Sequence, residues 1–222
     1  MPDAARKLWL RTGERRRDAM REDKLGASTY LDRGWSLIAQ ADYAGAETSL
    51  RKAVDLSPRD PQGSALLAWA LMHQGKFDDA SDWVSRALQL QPSNALAHVA
   101  GGYIALKRDE VIEAIRYLTR AAKMENDPKA TLYANLYLGI TYLKREMYED
   151  ASNFLRQAVS LGPNLTEGYY YLGRALYRTG MPEEAKGCWR IGASAAKRSV
   201  WGVRCQEILS AVEAGNPFPH PL

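Results

Sequence analysis

DPQGSALLAWALMHQGKFDDASDWVSRALQLQP, residues 60–92, holds two helical patterns and the punctuation between them. Asp60-Pro61 opens the first pattern, Gly75 ends it, Phe77 begins the second, and Pro92 closes the unit. Small residues stand where two helices must cross closely: Ala68 in the first, Ala80 and Ala87 in the second. A step of 34 residues either way carries Ala80 to Ala46 and Ala114, and Ala87 to Ala53 and Ala121. After one slip of three residues the series resumes at Ala151 and Ala158, then at Ala185. A fixed period of this length, made of two helices, marks a repeat array.

Outward from that unit the chain divides into repeats over 27–60, 61–94, 95–131, 132–165 and 166–199, one continuous solenoid. The first places Tyr30, Gly34 and Leu37 on one helix face, and Ala46, Leu50 and Ala53 on a second. Later repeats supply Leu67-Ala68 with Val84, Gly101-Gly102 with Leu118, Leu138-Gly139 with Leu155, and Leu172-Gly173 with Trp189. Glycine inside a helix costs ~1 kcal/mol against alanine, so Gly34, Gly102, Gly139 and Gly173 imply neighbours too close for a β-carbon. A capping helix over 200–215 follows, with Val200, Val203, Ile208, Leu209 and Val212 as its apolar face. The Pro-rich tail 216–222 reads as extended, and residues 1–26 as a basic helical leader.

An apolar content of 46% is ample for a core. No apolar run reaches the ~18 residues of a membrane span, and the amino terminus has no signal-peptide core. Cys188 and Cys205 stand alone and read as reduced buried thiols, consistent with a cytoplasmic chain. Net charge is +4, and the leader carries eight basic residues against five acidic. Its Arg15-Arg16-Arg17 run is a candidate basic contact, with a solvated helix end as the competing reading. No phosphate loop, G-x-S-x-G, H-E-x-x-H or C-x-x-C occurs, and His73, His98 and His220 fall in unrelated contexts. Neither enzyme chemistry, nor a metal, nor a cofactor is expected.

A first helix of the form W-x-x-L-G-x-x-Y, then A-x-x-x-F, then A and a closing P, resembles the tetratricopeptide repeat. Leu138-Gly139-x-x-Tyr142 and Tyr169-x-x-Leu172-Gly173 are the plainest matches, and five copies in phase cover residues 27–199. Repeat three departs from the pattern, with Ala105 where tyrosine is usual and no proline at the usual distance. The resemblance implies an all-α right-handed superhelix of antiparallel helix pairs with helical caps. It also implies that the first helix of each pair lines a concave groove.

In that family the residue after the small Gly or Ala faces the groove, which here selects Trp35, Trp69, Tyr103, Ile140 and Arg174. Leu31, Val99, Tyr133, Leu136, Tyr137, Tyr170, Tyr171 and Tyr177 are further groove positions by the same resemblance. Large rings in a channel suggest recognition, because such rings dominate binding hot spots. A basic row of His73, Lys107, Lys144 and Arg178 falls in register near the first-helix ends, suited to acidic groups beside apolar anchors. Leu31, Trp35 and Leu66 occupy the places where chaperone cofactors of the family carry a carboxylate clamp, so no such clamp is expected. The reading is a non-catalytic adaptor or assembly factor that holds a peptide segment or helix of a protein partner. A dedicated chaperone, and nucleic-acid or anionic-membrane binding through the leader, are the alternatives. No small-molecule substrate is expected, and homo-oligomerisation stays open.

Overall fold

The structure, a computed structural model, describes residues 26–124 and 127–216. Most of the leader, with Arg15, Arg16 and Arg17, and all of the tail but Asn216 lie outside the described residues, as do Glu125 and Asn126. Among the described residues the fold is all-α: eleven helices and no strand. They are α1 (Ala27–Ala39), α2 (Tyr43–Leu56), α3 (Pro61–His73), α4 (Phe77–Leu90), α5 (Ala95–Lys107) and α6 (Val111–Ala122). Then come α7 (Pro128–Lys144), α8 (Tyr148–Leu161), α9 (Thr166–Arg178), α10 (Pro182–Ala195) and α11 (Val200–Glu213). The chain divides into two compact units, Met1–Leu90 and Gln91–Leu222, where the repeat period alone implies one continuous array.

Helix starts are written in side chains. Asp42, Asp60, Asn94, Asp127 and Ser199 each accept a backbone N–H from the first turn of α2, α3, α5, α7 and α11. Asp60 and Asp127 are followed by proline at the first helical position, where its missing N–H costs nothing. Asp127-Pro128 also explains the slip in period. It starts α7 four residues before the 132 boundary and gives it 17 residues, against 13 in α1, α3, α5 and α9, so the insertion becomes an extra turn.

The turn inside each pair is the same five times. One residue turns left-handed at Ala41, Gly75, Asp109, Glu146 and Gly180. The next N–H reaches back to a carbonyl in the last turn: Asp42 to Leu37, Lys76 to Leu71, Glu110 to Ala105, Met147 to Tyr142 and Met181 to Leu176, at 2.9–3.1 Å. This bond satisfies a carbonyl the helix end would otherwise orphan.

Within each pair the helices meet at one matched position. A β-carbon on Gly34 would lie 2.5 Å from Leu50, and one on Gly102 2.4 Å from Leu118. Gly139 stands the same way against Leu155 at 2.4 Å, and Gly173 against Trp189 at 2.2 Å. The corresponding residues of the second pair are Ala68 and Val84, both buried. There the first helix gains a methyl group and the second gives up a methylene. Close packing makes such volume exchange the natural way to keep one helix separation.

In the first unit α2 packs on α3, joined by Lys76 to Glu47 at 2.7 Å and by Gln74 to the Tyr43 carbonyl at 3.0 Å. In the second unit the first helices α5, α7, α9 and α11 neighbour one another in that order. The cap helix α11 turns a different side inward from the one its valines suggest. Gly202, Cys205, Ile208 and Leu209 are buried, whereas Val200 and Val203 are exposed. Spacings of three and four place the buried set on one face, and Val200 and Val203 fall off it.

Candidate functional site

The first unit carries Leu31, Trp35, Trp69 and His73 on α1 and α3. Trp35 is 38% exposed and Leu31 half-buried, but Trp69 is only 5% exposed. Repeat-equivalent tryptophans therefore differ, and Trp69 is part of the packed interior. His73 stacks on Tyr43 with ring centroids 4.6 Å apart and lies 5.2 Å from the Trp69 ring. It belongs to an aromatic stack rather than to a row of extended basic groups.

The second unit gathers more rings. Tyr103 on α5 is half-buried, 4.8 Å from Tyr137 on α7, which in turn lies 6.1 Å from Tyr133. Val99, Leu136, Tyr137 and Tyr170 are buried; Tyr133 and Ile140 are half-buried. Tyr170 and Tyr171 on α9 lie 5.4 and 5.3 Å from Trp201 on α11. Arg174 is buried, and its guanidinium donates to the Tyr170 hydroxyl oxygen at 3.1 Å. Arg174 is thus held within the packing of α9 by the Tyr170 hydroxyl. Tyr177 is exposed beside Trp189, at 6.1 Å.

The basic row is likewise divided. Lys144 pairs with Asp109 at 2.7 Å, across the turn that follows α5. Arg178 lies 5.5 Å over the Tyr148 ring. Lys107 is exposed and sits 5.2 Å over the Tyr103 ring, without an ion pair among the described residues. Cation–ring contacts of this kind hold the charge near the surface while leaving it available.

Glu167, Trp201 and Arg204 also lie by these rings, outside the positions that the repeat selects. Glu167 stands one helical turn before Tyr171 on α9, and that spacing was the signal available for it. Burial pushes its carboxyl up to about 7, against the pull of Lys107 from α5 and Arg204 from α11. Arg204 lies 4.7 Å over the Trp201 ring, also without an ion pair among the described residues. Burial raises the Tyr171 hydroxyl as well, helped by Glu167.

Cys188 and Cys205 are free thiols, pushed by burial up to about 11 and about 12, which makes them poor nucleophiles. Among the described residues no three His, Cys, Asp or Glu side chains gather as a metal site. No described helix is long and apolar enough to cross a membrane. A separate recess of about 640 Å³ lies among α6, α7 and α8, floored by Asn135, whose buried Oδ1 has no hydrogen-bond partner among the described residues.

Comparison with known proteins gives this wall its context. Residues 31–95 match the tetratricopeptide repeat family model. The chain is 32% identical over 129 residues to the TPR repeat-containing protein MJ1428 of Methanocaldococcus jannaschii, an alignment covering 58% of this chain and 21% of that one. It is 26% identical over 129 residues to the rat (Rattus norvegicus) mitochondrial import receptor subunit TOM70, covering 58% of this chain and 20% of that one. The chain thus spans about a fifth of the length of the curated relatives it matches. Among solved structures, the thermophilic TPR protein TTC0263 of Thermus thermophilus superposes with a TM-score of 0.70 at 20% identity, covering 85% of this chain and 100% of that one. That likeness shows the fold alone. The repeated helix pairs and their matched crossings give the chain the fold of a tetratricopeptide-repeat solenoid, and residues 31–95 match that family's model.

Proposed function

We propose that the chain is a non-catalytic interaction adaptor or assembly factor that holds a segment of a protein partner against the inner rings of its first helices. Proteins of this family generally mediate protein–protein interactions. The observation that carries the reading is the state of Tyr103, Tyr171 and Trp201: large rings on α5, α9 and α11, left half-buried, with Lys107 over Tyr103 and Arg204 over Trp201. Rings with one face still wet offer large contact area at low entropy cost, as binding hot spots do. An extended segment or an amphipathic helix with apolar anchors suits such a wall.

A photo-crosslinking amino acid placed at Tyr171 tests this in native extract. The reading expects one discrete adduct, recovered also from position 103 but not from Ile112, which is 82% exposed on α6. Equal labelling from Ile112 would sink it. Client solubility separates the adaptor from a dedicated chaperone: an adaptor's partner stays soluble without this chain, and a chaperone's does not.

A further inference from the structure

The inner wall of the second unit has an electrostatic arrangement that ring recognition does not need. Lys107 at the end of α5 and Arg204 on α11 both act on the carboxyl of Glu167 on α9. Each cation rests on a ring, Lys107 on Tyr103 and Arg204 on Trp201, and neither closes an ion pair among the described residues. Glu167 is half-buried beside Tyr171 and accepts no hydrogen bond among the described residues. Of the helices packed on α9, the cap helix α11 contributes Arg204, whereas α7, α8 and α10 bring no charge to bear on the carboxyl. The wall therefore carries a surplus of positive charge around one poorly solvated acid.

We propose that this wall takes an acidic segment of a protein partner, seating its carboxylates at Lys107 and Arg204, with Glu167 as the residue that sets how much negative charge the site accepts. The proposal rests on the reading of the rings as a recognition surface. Charge complementarity selects the occupant, since a basic segment would meet two unpaired cations and an acidic one is drawn to them. Ionised, Glu167 repels such a segment. Protonated, it removes that repulsion and its O–H can donate to a partner oxygen. Binding of an acidic segment and protonation of Glu167 thus favour each other, and the linkage is reciprocal. Because burial lifts this carboxyl to about 7, the exchange falls between pH 6 and 8.

A fluorescent copolymer of Glu and Tyr is the probe, with a Lys–Tyr copolymer as the opposite arm, read by anisotropy at pH 6 and pH 8. Wild-type protein should bind the Glu–Tyr copolymer in preference, about three- to tenfold more tightly at pH 6. Glu167→Gln should bind it as tightly at pH 8 as at pH 6. The Lys107→Gln, Arg204→Gln double variant should bind it weakly at both. Melting curves of each variant check that the fold persists. The proposal is overturned by preference for the Lys–Tyr copolymer, by no binding of the Glu–Tyr copolymer, or by an unchanged pH dependence in Glu167→Gln. Any of these would leave the photo-crosslinking result untouched, since that experiment needs rings and not a particular charge.

Discussion

The crossing of α7 on α8 offers a test in which two damaging changes should repair each other. Gly139→Ala adds a β-carbon 2.4 Å from the Leu155 side chain, closer than atoms can stand. The alanine gains ~1 kcal/mol of helix propensity, but overpacking costs ~1–3 kcal/mol, so a net loss of up to ~2 kcal/mol is expected. Leu155→Val removes one methylene from a fully buried side chain, worth ~0.5–1.5 kcal/mol. Together they rebuild the pairing that the second repeat uses at Ala68 and Val84. The double variant should then recover at least ~1 kcal/mol relative to the sum of the single losses. Urea unfolding of the four proteins closes the cycle. Additivity within ~0.5 kcal/mol would refute the idea that these two positions trade volume.

Further outcomes follow from other parts of the chain. Glu167 has a folded-state pKa of about 7, raised from an ordinary 4.5, so its contribution to stability is complete below pH 4.5 and lost as pH rises through 7. Glu167→Gln should therefore stabilise the fold at pH 8 relative to its effect at pH 5 by on the order of 1–3 kcal/mol, measured by urea unfolding; an equal effect at both pH values would deny the burial argument. Glu146 turns left-handed at φ 58°, where glycine is at ease, so Glu146→Gly should raise stability by ~0.5–1 kcal/mol, and a lower melting point would count against that account of the turn. Ala80 is wholly buried on α4, so Ala80→Phe should cost the first unit ~1–3 kcal/mol or more, checked by its melting curve.

The helix pairs were legible because punctuation and crossings are local. Asp60-Pro61, Asp127-Pro128, Gly75 and Gly180 act through their own backbone, and the small residues repeat at a fixed step. The same turns at Ala41, Asp109 and Glu146 were not legible, since nothing in those side chains asks for a left-handed backbone. Nor does the period register the division after Leu90, because the step of 34 runs straight through it. The site was harder. Repeat position places Trp35 and Trp69 alike, yet one is exposed and the other is interior, because burial depends on what packs above a position. The basic row shows a related effect: Lys144 pairs with Asp109 and His73 stacks on Tyr43, partners elsewhere in the chain that a repeat template does not carry. Repeat position does not single out Glu167, since the residue one step of 34 before it is Tyr133.

Tyr103 separates recognition from structure better than the buried Trp69, whose truncation is expected to cost the fold ~3–5 kcal/mol. The deciding measurement is the affinity of the cross-linked partner segment for wild-type protein and for Tyr103→Ala, with melting curves taken on the same samples. The account predicts a loss of ~2 kcal/mol in binding, about thirtyfold, while the second unit stays folded. Unchanged affinity in a folded variant would contradict it, and the half-buried rings would then be packing alone.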